Sequence, residues 1–187
     1  MRGHWMIVLL GALLLTCCGE ETVTNKYSGY TARFSYSPVN ACPSLYRACT
    51  GMGEFCIIDV PVGGQGRFRV RDNHGSEPDY INPTAIQGYS SIVLGLGGTL
   101  IIGLPTIAEM GSEQPGVVCY DGVCPYCYKT NNTTKQLSVS EDRATCRACE
   151  REYDLNNSGQ EVSSLGGRPL YRYAANYNGT GIYVSNN

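Results

Sequence analysis

The sequence of 187 residues holds only two histidines, His4 and His74. His4 falls in a segment that reads as a leader, so the mature chain is expected to keep one. A single histidine excludes, within one chain, a two-histidine metal site, a 2-His-1-carboxylate iron centre and an H-E-x-x-H zinc protease. Basic residues are not in excess either. Lys and Arg number 14 against 16 Asp and Glu, with no basic block, which argues against a nucleic-acid partner. Phe (3) and Trp (1) are scarce beside 14 Tyr and 23 Gly, a balance that favours short strands and turns over helices. No Ser/His/Asp arrangement, phosphate-cradling loop or paired-carboxylate signature is present, and a non-enzymatic role is expected. Long apolar runs are missing too. The stretch from Ile92 to Pro105 carries Gly95, Gly97, Gly98 and Gly103 and is too short to span a hydrocarbon core of roughly 30 Å. Two strands joined around Gly97-Gly98 are predicted there.

What is present begins with an address. Arg2 precedes an apolar run from Met6 to Leu15, the length of a signal-peptide core. It ends in Leu15-Thr16-Cys17-Cys18-Gly19-Glu20-Glu21, which resembles the lipobox of bacterial lipoproteins. That resemblance implies cleavage after residue 17 and acylation of Cys18, with Cys17 as the alternative. It further implies a membrane partner through the lipid anchor and a place in a bacterial cell envelope, lipid-anchored at the outer membrane, on its periplasmic or surface side. Residues 18–29 then form a tether, and a single domain occupies 30–187.

Within that domain, Tyr30, Ala32, Phe34 and Tyr36 alternate with polar residues, the period of a half-buried strand. Ala41 to Cys49 is predicted as one short helix with Leu45 and Cys49 on one face. Glu54 to Val60 reads as a buried strand closed by Pro61, followed by a turn at Gly63–Gly66. Arg67 to Arg71 alternates Arg with Phe68 and Val70 and suggests an exposed strand, and Asp72 to Pro83 reads as loop. The fold class expected is mostly β. His74 is expected as a solvated loop residue, and the Arg67-Arg69-Arg71 row as a strand face rather than an anion site. Sequons at Asn131, Asn132, Asn156 and Asn178 read as chance loop composition.

The chemistry concentrates in two cysteine pairs, Cys124-Pro125-Tyr126-Cys127 and Cys146-Arg147-Ala148-Cys149. The spacing C-x2-C-x18-C-x2-C is that of a metal site. Two residues between cysteines let a tight turn aim both sulfurs at one point, and a hairpin can bring two such turns together into a tetrahedron. Four thiolates suit zinc first, then a single iron or an all-cysteine 2Fe-2S cluster. Disulfides within or between the pairs are the metal-free alternative in an exported protein. Cys124-Pro125-Tyr126-Cys127 is also the active-site sequence of glutaredoxins, where the first cysteine starts a helix. Here Tyr128 to Thr134 reads as a poor helix and a good loop, without a βαβ pattern. Cys56 and Cys119 lie in apolar strands as buried thiols, and Cys42 and Cys49 could pair.

The C-terminal half resembles Rieske-type domains over about residues 99–187. Cys119-Tyr120-Asp121-Gly122-Val123-Cys124-Pro125 is similar to their strand and first cluster loop. Cys146 to Cys149, followed by Glu150-Arg151-Glu152-Tyr153-Asp154-Leu155, is similar to the second loop and the aromatic-Asp step after it. Gly159, Gly166-Gly167-Arg168-Pro169-Leu170 and the segments Tyr171–Tyr173, Asn178-Gly179 and Ile182–Val184 resemble the closing turn and last hairpin. The resemblance implies an antiparallel β-sandwich, with a rubredoxin- or zinc-ribbon-like metal-binding subdomain at about 119–157. The ligands depart from the family. Tyr126 stands near the first histidine position, with Cys127 after it, and Cys149 stands at the second. The two-histidine ligation that raises a Rieske potential is therefore absent. The expected function is a binding or assembly module with an unknown protein partner and structural zinc on Cys124, Cys127, Cys146 and Cys149. The alternative is an electron carrier with iron or a 2Fe-2S cluster on the same cysteines.

Overall fold

The computed structural model describes residues 27–63, 66–86, 91–163 and 165–186. The leader, Cys17 and Cys18 lie outside them. Twelve strands and two helices are described. In order they are β1 (Arg33–Tyr36), α1 (Pro43–Thr50), β2 (Glu54–Asp59), β3 (Phe68–Asp72), β4 (Asp79–Ile81), β5 (Thr99–Leu104), β6 (Val118–Asp121), α2 (Pro125–Asn131), β7 (Ser138–Ser140), β8 (Arg143–Thr145), β9 (Glu152–Asp154), β10 (Gln160–Glu161), β11 (Arg172–Tyr177) and β12 (Ile182–Ser185). All strand pairings are antiparallel. The protein is mostly β, as its alternating pattern predicts. Among the described residues, no helix is long and apolar enough to cross a membrane.

An eight-stranded sheet in the order β1-β12-β11-β6-β5-β2-β3-β4 curls until its ends approach: the Phe34 ring of β1 meets the Phe68 ring of β3 edge to face, 6.4 Å apart. Alternation along its strands divides the core in two. Cys56, Ile58, Leu100, Ile102 and Cys119 face inward with Phe34, Val70 and the Leu45, Ala48 and Cys49 stripe of α1. Phe55, Ile57, Ile101, Val118 and Tyr120 point the other way, onto a small second sheet in the order β10-β9-β8-β7. Each face therefore buries the alternate residues of the same strands. Gly103, opposite Phe55 in the register, makes this second contact possible, since a Cβ there would sit 2.0 Å from the Phe55 ring.

One buried amide clasps the two sheets. Asn73 Oδ1 accepts the Phe55 N–H (3.3 Å), and its Nδ2 donates to the carbonyls of Gly53 (3.1 Å) and Glu141 (2.9 Å). The Glu141 N–H in turn donates to the Asn73 carbonyl at 2.9 Å.

Several expectations are corrected. The predicted helix over Ala41–Cys49 is a 3-10 turn, Val39–Ala41, then α1, because Pro43 sets its first turn. The Arg-alternating segment is not an exposed strand: β3 is paired on both sides, and Arg69 and Arg71 lie over buried Asp59 at 2.8 and 2.7 Å. The supposed loop from Asp72 to Pro83 contains β4, whose Ile81 is buried. Only β5 forms of the hairpin predicted around Gly97-Gly98. Residues 95–98 instead turn over the buried Asp121 carboxylate, which accepts the Leu96 N–H at 2.6 Å. Gly95 has φ +66°, and a Cβ there would lie 2.4 Å from Asp121 Oδ2.

Candidate metal centre

The first sulfur pair is built at the end of β6. Asp121 closes that strand, accepting the Val123 N–H (2.9 Å), the Leu96 N–H and the Tyr173 hydroxyl (2.6 Å each). Burial pushes its pKa up, against those three donors. The chain then returns on itself: the Cys124 N–H donates to the Lys135 carbonyl and the Leu137 N–H to the Gly122 carbonyl. Between these bonds lies α2, where a loop is predicted. Pro125 supplies the preset φ of the first helical residue, and Asn132, left-handed at φ 50°, closes the helix by donating to the Cys127 and Tyr128 carbonyls. Buried Pro125 and Cys127 hold this weak helix former down. Cys124 caps the helix and Cys127 follows one turn on.

The second pair sits on a different device, a turn between β8 and β9. The Cys146 N–H donates to the Arg151 carbonyl (2.9 Å), and the Glu150 N–H to the Cys146 carbonyl (2.8 Å). Glu150 occupies the left-handed region at φ 59°, a place where glycine is usual. Within the turn, the N–H groups of Ala148 and Cys149 favour the charged form of the Cys146 sulfur, and that of Arg151 favours the charged form of the Cys149 sulfur.

The four sulfurs converge. Sγ of Cys124 lies 3.6 Å from that of Cys149, and Sγ of Cys127 lies 3.8 Å from that of Cys146. All four fall within 4.8 Å of one another. A tetrahedron of thiolates about 2.3 Å from a central ion has edges of about 3.8 Å, so the quartet has the span of one four-coordinate centre and could hold a metal ion. Cysteines from α2 pair across with cysteines from the turn, as a tetrahedron shared by both requires. The eight described cysteines are free thiols, and the nearest sulfurs are well beyond the about 2.05 Å of a disulfide.

The surroundings combine burial with polar groups close to the sulfurs. Tyr153, fully buried, places its hydroxyl 3.4 Å from Cys124 Sγ. Burial and the neighbouring sulfurs push the thiol pKa of Cys127 up. Burial also raises that of Cys146, against its two backbone N–H donors. Burial opposes ionisation of Cys149 too, but the Arg151 N–H and the other three thiols outweigh it, and its pKa falls below the ordinary cysteine value. Cys124, Cys127 and Cys146 are buried and Cys149 reaches the surface.

The other predicted residues stand apart. Cys119 points to the opposite face of β6 and is no ligand. Cys42, the cap of α1, faces Asp79 and pairs with no cysteine. His74 lies in the turn after β3, half-exposed, its Nε2 2.9 Å from a Glu54 carboxylate oxygen. Sequence reasoning missed Tyr153 and Arg151 as neighbours of the sulfurs. The signal available was position: they stand four and two residues past Cys149, where a strand leaving the turn must pass the cluster. Although α2 gives Cys124-Pro125-Tyr126-Cys127 the helical start seen in glutaredoxins, its second pair of thiols and antiparallel surroundings differ from that dithiol arrangement. Comparison with protein-family models, curated proteins and solved structures gives no match to this chain.

Proposed function

We propose that the chain is a lipid-anchored protein of the bacterial cell envelope whose Rieske-like domain carries structural Zn2+ on Cys124, Cys127, Cys146 and Cys149 and acts as a non-enzymatic binding or assembly module. The observation that carries the metal assignment is the convergence of four sulfurs from two separate devices within 4.8 Å. That span suits one ion better than a 2Fe-2S cluster, which spreads its two sulfur pairs over two irons. Zinc takes four cysteines readily, needs no assembly machinery and contributes folding energy directly. The ion supplies a cross-link. The chain's own residues position it: α2 and the β8–β9 turn present the sulfurs, backbone N–H groups and the Tyr153 hydroxyl offset their charge, and Phe55, Ile101 and Tyr120 seat the subdomain on the main sheet.

The succession of elements supports the Rieske-like assignment. A strand leads into the first cysteine loop, a hairpin (β7–β8) into the second, and a closing hairpin (β11–β12) follows. The envelope assignment is supported by the lipobox-like Leu15 to Cys18. Mass spectrometry of protein from native membranes tests it: an acylated N-terminal Cys18, or Cys17, is expected, and an unmodified mature N-terminus overturns it. Metal analysis of protein purified without air tests the site, with one zinc per chain expected.

One observation favours a second role, electron transfer by iron on the same four cysteines. Cys149 reaches the surface beside half-exposed Tyr126, which gives the centre an exposed edge. A coloured protein with reversible reduction supports that role; a colourless, redox-silent zinc protein removes it.

A further inference from the structure

Arg151 is buried, with 8% of its surface exposed, two residues beyond the last cysteine. Its guanidinium carbon lies 3.4 Å from the centre of the Tyr126 ring, which stands between Cys124 and Cys127. Its Nε and NH2 groups point at the Gly166 carbonyl at 3.4 and 3.3 Å, and the nearby Cys149 thiol favours its charged form. A buried cation needs a counter-charge. Every ion pair found among the described residues belongs to another cation, and Glu161 acts on Arg151 only from a distance. Besides Glu161, the group able to supply negative charge is the sulfur quartet. Four thiolates around a divalent ion carry two net negative charges, and Arg151 offsets one of them. The same side chain joins the two devices, since its backbone belongs to the β8–β9 turn and its stacking partner to α2.

We propose that Arg151 is the built-in counter-ion of the four-sulfur centre, held in place by the Tyr126 ring. The proposal rests on the quartet being a metal site. Arg151 then favours the doubly negative tetrathiolate state, and its stack on Tyr126 pre-sets the approach of the two sulfur pairs. Tyr126 is a positioning residue acting through Arg151.

The test is competition for Zn2+ between a chromophoric chelator and the purified chain, in wild type and in the variants Arg151→Gln, Arg151→Lys, Tyr126→Leu and Tyr126→Phe. Arg151→Gln and Tyr126→Leu are expected to weaken Zn2+ binding by about 10- to 100-fold, the usual effect of removing a group that supports the ligands. Arg151→Lys and Tyr126→Phe, which keep the charge and the ring, are expected to recover most of it. A second readout separates charge from folding. In the iron-loaded chain the centre passes from one net negative charge to two on reduction, so Arg151→Gln is expected to lower the potential and Arg151→Lys to hold it near wild type. Wild-type Zn2+ affinity in Arg151→Gln, or an unchanged potential, overturns the proposal while leaving the metal site intact. A wild-type chain that takes up neither Zn2+ nor iron removes the site and the proposal together.

Discussion

Cys42, Cys49, Cys56 and Cys119 lie as deep in the molecule as Cys124, Cys127 and Cys146, yet the two sets have opposite chemistry. The first set is distributed over α1, β2 and β6 and packed into the inner core, with the Cys42 sulfur facing Asp79 at its edge. Burial pushes Cys42 to about 11 and Cys49 to about 12, and raises Cys56 and Cys119 well above the ordinary thiol value. These thiols stay protonated and serve as small apolar residues. The second set gathers at one point, with N–H and O–H donors around it. Burial does not distinguish a ligand from a core thiol. Convergence does: Cys42 caps a helix as Cys124 does, but only in the second set do two devices, a helix start and a tight turn, aim four sulfurs at one place, whereas strands send alternate residues to opposite faces.

The sharpest way to break the comparison is to remove one sulfur from each set. Cys146→Ser is expected to abolish stoichiometric metal, putting at stake ion-binding free energy of the order of 10 kcal/mol, and to expose β8 and β9 to hydrogen exchange. Cys119→Ala is expected to keep the metal and cost about 1 kcal/mol in denaturant unfolding. Equal metal content in the two variants would contradict the division.

Acidification comes next. Cys127 and Cys146 hold their protons more tightly than ordinary cysteines, so an ion must displace those protons to bind. Metal affinity therefore rises with pH and falls as pH drops. Metal retained after dialysis is expected to decline steeply between about pH 7 and pH 5, the range over which protons outcompete the ion for thiolates, while the first set of cysteines stays unchanged in charge.

A smaller effect belongs to the main sheet. Buried Asp72 accepts from Arg47 (2.5 Å) and from the N–H groups of His74 (3.2 Å) and Ser76 (3.0 Å). Burial opposes its charge, but these donors outweigh burial and lower its pKa. A carboxyl with a depressed folded pKa stabilises above its unfolded value, about 3.9, and loses that contribution as pH falls through the folded value. Asp72→Asn is expected to cost about 2 kcal/mol at pH 7, with the difference from wild type vanishing in strong acid. A difference that persists unchanged at pH 2 would contradict the ionic account. Smallest in energy is a labelling contrast: in metal-stripped protein, Cys149 should alkylate first, and Cys42, Cys49, Cys56 and Cys119 only on unfolding. Early labelling of the core set would contradict their assignment.

How much of this was legible in the residues follows from the range of each interaction. The Cys124/Cys127 and Cys146/Cys149 pairs were readable because two residues between sulfurs is a local constraint. The strand at Phe34 was readable because alternation is local as well, and those at Ile57 and Cys119 because a short apolar run is. Helix α2 was not: its sequence favours a loop, and Pro125, the left-handed Asn132 and burial of Cys127 decide otherwise. The turn over Asp121 was hidden for the same reason, since the Leu96 N–H and the Tyr173 hydroxyl arrive from 25 and 52 residues away. Asn73 and Arg151 join segments that no periodicity connects.

The most direct test of the account is X-ray absorption on the purified chain, with metal content measured on the same sample. One ion per chain with four sulfur neighbours at about 2.3 Å is the predicted result. A metal-free protein whose peptide map shows Cys124, Cys127, Cys146 and Cys149 joined in disulfides would contradict it.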